Sequence, residues 1–215
     1  MKPTKNPFRL SNSTDKDRLS EIYRVAARII CEKGYDATSM NDIAEAVGIT
    51  KAGIYHHIPG KKDLLFGIMN FGMDSLDEQV IIPAREVEDA EQRLRTIISS
   101  HVQLITSRST PQGFNAVTIV VEEVGGLAPA HRRKIDQRKR AYVDLVRKTL
   151  EELKGEGKLG EVDVTTASFS LLGMILWLSR WYNPGGRLGP EQIAQEITKI
   201  ALGGLLRPKA SRARR

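Results

Sequence analysis

Apolar residues recur along this chain at intervals of three and four, and no stretch of any length alternates apolar with polar, so the sequence predicts helices nearly throughout. The first is expected from about Asp15 to Lys33, with Ile22, Val25, Ala26, Ile29 and Ile30 on one stripe and Gly34 placed to stop it. Ser39 opens a short helix whose buried face is Ile43, Ala44 and Val47; Asp42 is its capping-box partner and Gly48 closes it. Thr50 caps the next, Lys51–Ile58, which Pro59-Gly60 ends at once. A longer helix is expected from Lys61 or Lys62 to about Val80, stopping near Pro83. Breakers at Pro111, Gly125-Gly126, Gly155–Gly160 and Pro184-Gly185-Gly186 then separate Glu88–Ser107, Thr110–Val124, Pro129–Glu156, Val164–Tyr182 and Pro190–Leu206. The pattern is that of an all-α protein of about nine helices, a three-helix N-terminal unit followed by a helical bundle.

Composition adds little to this until the charge is divided. With 40% hydrophobic and 27% charged residues the chain reads as globular, and its single cysteine, Cys31, cannot form an internal disulfide. No apolar h-region follows the basic N-terminal residues, and the most apolar stretch, Phe169–Leu178, is far short of the roughly 20 residues that span a bilayer. A cytoplasmic protein with no membrane partner is expected. Of the formal charge of +7, residues 1–62 carry +4 and residues 207–215 carry +5, while 63–206 carry −2. Basic ends around a nearly neutral middle suggest a polyanionic partner, although a basic tail also simply aids solubility. The division expected is a flexible arm (1–14), a helix-turn-helix domain (15–62), a helical ligand-binding and dimerisation domain (63–206) and a basic flexible tail (207–215).

Two short helices joined by a glycine-containing turn form the unit that lays its second helix in the major groove of DNA. Here Ala44 is small where the helices cross, and Ile43, Val47, Ile49 and Ile54 pack the joint. That leaves Lys51, Ala52, Gly53, Tyr55, His56 and His57 on the exposed side of the second helix. Hydroxyls at helix N-termini donate to phosphates, which suits Thr38, Ser39 and Thr50. Lys51 is placed to reach guanine O6/N7 or a phosphate, Tyr55 and His57 to face the backbone, and Lys61 to add a phosphate contact at the next helix start. Two solvated helices of a plain bundle would show the same spacing, and Tyr55 is equally compatible with a core. His56 and His57 are adjacent, without the i, i+4 spacing that puts two imidazoles on one face for zinc, so no metal is expected.

The run GYDATSMNDIAEAVGITKAGIYHHIPGKKDLL, with its flanks from about residue 20 to 66, closely resembles the DNA-binding domain of the TetR family of bacterial repressors. One departure is Ile58-Pro59, where that family usually has Phe and a non-proline; Ile58 keeps the apolar plug. The resemblance implies a homodimer, one recognition helix on each half of a palindromic operator, and a C-terminal pocket whose occupancy releases DNA.

Farther on, Phe169, Leu172, Leu176 and Trp177, with Ile193, Ile197, Ile200 and Leu205, give the last two helices apolar faces that fit a core. Similar repressors pair these two helices across a dimer as a four-helix bundle, which implies that a share of them faces a partner subunit. The segment WLSRWYNPGGRLGPEQI resembles a TetR subgroup that controls fatty-acid and sterol breakdown and responds to acyl-CoA thioesters. On that likeness an apolar tunnel takes the acyl chain while arginine or tryptophan near its mouth, Arg180 or the flanking Trp177 and Trp181, meets the nucleotide end. Arg180 equally suits a helix C-cap before Asn183-Pro184. Phe114 and Met174 complete the expected effector contacts, with Phe71, Met73, Ile119 and Leu178 as further pocket candidates that are equally plain core.

An enzyme is not expected. The chain has no glycine-rich phosphate loop, no nucleophile elbow, no H-E-x-x-H and no paired cysteines, and Glu122-Glu123 would point to different faces of a helix. No cofactor is implied. A repressor sensing a drug-like hydrophobic molecule, or a helical DNA-binding adaptor without a ligand, stays open beside the acyl-CoA reading.

Overall fold

The computed structural model describes residues 11–106, 119 and 126–206, and among them every regular element is a helix. The N-terminal unit is α1 (Ser11–Lys33), α2 (Met40–Val47) and α3 (Lys51–His57). From it runs α4 (Lys61–Leu76), which continues through a π-helical turn, Asp77–Ile81, into α5 (Ile82–Arg85). The C-terminal unit is α6 (Ala90–Thr106), α7 (Pro129–Gly155), α8 (Val164–Leu176), its short continuation α9 (Leu178–Trp181), and α10 (Pro190–Leu205). Taking continuous rods once, the described residues hold 8 helices. The expected helix Thr110–Val124 lies outside them except for Ile119, which is helical and buried. Residues 1–10 and 207–215, expected as arm and tail, also lie outside.

Most boundaries follow their local signals, and two elements depart from expectation. α1 begins at Ser11 rather than Asp15, since no glycine or proline interrupts the residues between. Pro83 does not stop the fourth helix. The backbone widens first, with Ile82 N–H donating to the Asp77 carbonyl five residues back, and Pro83 then stands in the first turn of α5. The widened turn ahead of it relieves the clash that a proline ring makes with the carbonyl four residues back in a regular α-helix.

The N-terminal unit closes around Ile22, Ala26 and Ile30 of α1, Ile43 and Ala44 of α2, Ile54 of α3, and Leu64, Leu65 and Ile68 of α4, all buried. Gly67 lets α4 lie directly on α1: a Cβ there would stand 2.5 Å from Tyr23 Cε1 and Cζ. Gly67→Ala is therefore expected to displace the Tyr23 ring from its seat on α4 and cost about 1 kcal/mol. A lowered urea midpoint with an unchanged slope would report this.

In the C-terminal unit α6 is the central strut, packed against α10, α7 and the π-helical turn. Leu94, Ile97, Ile98 and Val102 form its buried stripe. Arg138 of α7 reaches back to the far end of α4, its guanidinium donating to Asn70 Oδ1 (3.2 Å), Asp74 Oδ1 (2.7 Å) and Asp77 Oδ2 (2.6 Å). Thus α4 is shared, its start in the N-terminal unit and its end clamped by the C-terminal one.

Candidate nucleic-acid interface and internal cavity

The α2–turn–α3 unit is fixed by local hydrogen bonds that its sequence encodes. Ser39 is an extended N-cap; Asp42 N–H donates to its Oγ (3.1 Å), and Ser39 N–H donates back to Asp42 Oδ2 (2.8 Å). The bond from Ser39 N–H leads the causes that hold the Asp42 carboxyl below its ordinary range. Gly48 sits at φ 74°, a left-handed geometry that L side chains avoid, and the following Ile49 N–H closes onto the Ala44 carbonyl at 2.9 Å. Thr50 caps α3, its Oγ1 accepting from Gly53 N–H at 3.0 Å. A Cβ on Gly53 would crowd that hydroxyl at 3.2 Å, so the small residue protects the cap.

α3 buries Ile54 and seats Ile58 just beyond its end, while Lys51, Ala52, Tyr55 and His56 are exposed and Gly53 and His57 half-buried. Tyr55, 43% exposed, is a surface residue rather than a core one. The hydroxyls of Ser39 and Thr50 accept from the backbone and keep their own protons to donate outward. Thr38 is different. It is 1% exposed and its hydroxyl donates to the Gly34 carbonyl at 2.8 Å, so its side chain has no proton for a phosphate; it ties the loop to α1 instead. Lys61 is held, its ammonium 4.4 Å above the Tyr35 ring and donating to the Asp36 carbonyl at 3.2 Å. Two of its three protons remain available beside α3. Among the described residues no cluster of three metal-ligating side chains forms, and the His56 and His57 rings meet edge to face.

The second feature is a cavity of about 310 Å³ between α4, α6, α7 and α8, lined among the described residues by Met73, Leu76, His101, Tyr142, Leu172 and Leu176, together with Lys139, Val143, Phe169 and Gly173. Lys139 is the only charged side chain among these, and burial lowers its pKa against the opposing pull of Asp136. The expected effector residues are placed elsewhere. Met174, Trp177, Arg180 and Trp181 do not line this cavity; Trp177 and Trp181 are 64% and 51% exposed, and Arg180 is exposed too. On these helices the buried positions Ala167, Ser168, Leu171, Leu172, Ile175 and Leu178 recur at three- and four-residue intervals, and Trp177, Arg180 and Trp181 fall on the other side. Phe114 lies outside the described residues. Of the further candidates Met73 lines the cavity, Leu178 is core, and Phe71 packs on Tyr23 with ring centroids 6.2 Å apart.

Residues that the sequence did not single out, His101 and Tyr142 above all, carry the polar chemistry of this wall. Their signals were faint: a lone histidine in the apolar stripe of α6, and a lone tyrosine on the Ile135–Val146–Leu150 seam of a highly charged helix.

Comparison with known proteins gives a consistent set of relatives. Residues 22–68 match the family model described as bacterial regulatory proteins, tetR family, and residues 87–205 match that of the Tetracyclin repressor-like C-terminal domain. The chain is similar to the HTH-type transcriptional repressor KstR2 of Rhodococcus jostii, 27% identical over 89% of this chain and 92% of that one. It is also similar to the fatty acid metabolism regulator protein of Bacillus subtilis, 25% identical over 74% of this chain and 80% of that one. Among solved structures, AibR in complex with isovaleryl coenzyme A and operator DNA superposes with a TM-score of 0.77 at 40% identity, covering 85% of this chain and 97% of that one. No helix of the described residues is long and apolar enough to cross a membrane.

Proposed function

The chain belongs to the TetR family of bacterial regulators, and from that premise we propose that it is a homodimeric, cytoplasmic repressor of a lipid or acyl-CoA catabolic operon, released from DNA when an acyl-CoA-like effector fills the C-terminal cavity. The observation that carries the DNA half is the capped, seven-residue α3, which turns Lys51, Ala52, Tyr55 and His56 outward beside the donor hydroxyls of Ser39 and Thr50. Its two small residues let the helix approach base edges, and Lys51 and Lys61 supply charge for phosphates. A relative named as a fatty acid metabolism regulator, and another crystallised with isovaleryl coenzyme A and operator DNA, support the effector class. So does a cavity with an almost wholly apolar wall.

The second subunit is supported by an apolar ridge. Phe169, Trp177 and Trp181 lie four or eight residues apart along α8 and α9 and are 57%, 64% and 51% exposed, and Ile200 of α10 is 59% exposed. Gly173 sits between Phe169 and Trp177 with open space where its Cβ would be, which permits a close helix crossing.

Selection from random duplexes is expected to return an inverted repeat, and octanoyl-CoA is expected to displace the protein from it. Lys51→Ala and Lys61→Ala should each lower operator affinity and flatten its salt dependence. Each removes two phosphate contacts per dimer, which reduces the log–log slope by about 2. Tyr55→Phe should weaken binding while leaving the dimer folded. Wild-type affinity in all three variants would overturn the docking, and silence toward CoA esters would return the choice to a drug-like ligand or a ligand-free adaptor.

A further inference from the structure

His101 stands in the wall of the cavity with part of its polar chemistry unused. It is 1% exposed; its Nδ1 lies 2.9 Å from the Tyr142 hydroxyl, the rings meet edge to face, and its Nε2 has no hydrogen-bond partner among the described residues. Burial lowers the imidazole to about 4 and pushes the phenol up, so both are neutral in the physiological range. A neutral imidazole has one donor nitrogen and one acceptor. Either tautomer can make this contact: with the phenol O–H donating to Nδ1 only the Nε2–H is left over, whereas the reverse strands both the phenol proton and the Nε2 lone pair, which favours the imidazole proton on Nε2.

The consequence is an N–H donor without an acceptor among the described residues, in a wall whose other polar side chains there are Tyr142 and Lys139 and whose remainder is apolar, Met73, Leu76, Leu172 and Leu176 among it. A buried donor left unmade is costly, and native folds keep few of them. A carbonyl oxygen carried by an otherwise apolar group would supply that acceptor while its chain fills the apolar remainder. At roughly 30 Å³ for each water-sized group, the cavity takes on the order of ten non-hydrogen atoms. That is room for an acyl chain and its carbonyl, and far too little for a nucleotide.

We propose that His101, held as the Nε2–H tautomer by Tyr142, donates a hydrogen bond to the thioester carbonyl of the effector, and so distinguishes acyl thioesters from other apolar chains. This rests on the acyl-CoA reading above and gives it an atom. His101 touches the ligand; Tyr142 is a positioning residue that acts through it. Met73 and Leu76 of α4 form the neighbouring wall, so the chain that follows the carbonyl fills space against the helix that starts at Lys61.

The test compares butanoyl-, octanoyl- and dodecanoyl-CoA with their S-alkyl thioethers, in which a methylene replaces the carbonyl, by calorimetry and by displacement of operator DNA. The full-length wild-type dimer is expected to bind the best thioester about ten- to hundredfold more tightly than its thioether. In the double variant His101→Leu, Tyr142→Phe both polar partners leave together, so no buried group is stranded, and the two ligands should bind alike. Tyr142→Phe alone should reduce the ratio, because the imidazole proton is then free to move to Nδ1. A merely structural pair would change both affinities equally and leave the ratio untouched. Equal binding of the two ligands by the wild type, or a ratio preserved in the double variant, overturns the role of His101 and leaves the acyl-CoA reading standing. Failure of every thioester to bind or to displace DNA overturns that reading, and the role of His101 with it.

Discussion

Trp177→Glu combined with Trp181→Glu is expected to turn the dimer into a monomer and to abolish operator binding. Both side chains are more than half exposed and sit on the ridge that begins at Phe169, so their loss leaves the protomer's core intact. In a two-fold interface each substitution counts twice, and buried tryptophans are typical hot spots, costing about 2 kcal/mol or more when truncated. Four of them replaced by carboxylates, two facing two, should raise the dimer dissociation constant by at least about a thousandfold. Operator affinity should fall with it, since one short recognition helix reads too few bases to hold a site alone. Sedimentation and DNA-binding measurements check both effects, with helicity and melting temperature as the fold control. A variant that remains dimeric and binds DNA normally would place the subunit interface elsewhere.

A second large effect concerns acid. The His101 imidazole is fully buried and titrates at about 4 in the folded protein, against 6.5 in an unfolded chain. Between those values the unfolded chain binds a proton that the folded one refuses, so stability rises with pH across the window. The contribution is complete above about pH 6.5 and is lost as the pH falls toward 4, amounting to about 3 kcal/mol. The capping carboxylates Asp42, Asp89 and Asp163 have pKa values lowered from 3.8, and their effects therefore fall below this window. Urea unfolding at fixed protein concentration, from neutral pH down to the lower end of the window, should reveal the loss. It should vanish in His101→Leu, Tyr142→Phe. A wild type whose stability is flat over this range would mean that the imidazole is solvated in the fold.

The N-terminal unit was legible because its determinants are local. Ser39 and Asp42 are three residues apart, Thr50 and Gly53 likewise, and Gly48 answers a backbone requirement of its own position. Thr38 misled for the same reason. A hydroxyl just ahead of a helix reads as a phosphate donor, and only the fold shows that it is spent on the Gly34 carbonyl. The cavity was illegible because its chemistry is tertiary: His101 and Tyr142 are separated by 41 residues and meet only when α6 and α7 pack. On α8 and α9 the aromatic spacing is real, yet both sides of that rod are apolar. Periodicity could not tell the side that fills the core from the side that carries Trp177 and Trp181.

One helix, α4, begins with Lys61 just after α3, the proposed DNA-reading helix, and ends with Met73 and Leu76 in the cavity wall. At about 1.5 Å per residue the two ends are some 24 Å apart on a single rod. Whatever coupling runs along it is reciprocal: if a bound effector weakens the hold on an operator by some factor, the operator weakens the hold on the effector by that same factor. In that case protomers seated on DNA would be poorer receptors than those in free solution. The sensitivity of the response is set jointly by effector concentration and by how many binding sites the chromosome offers.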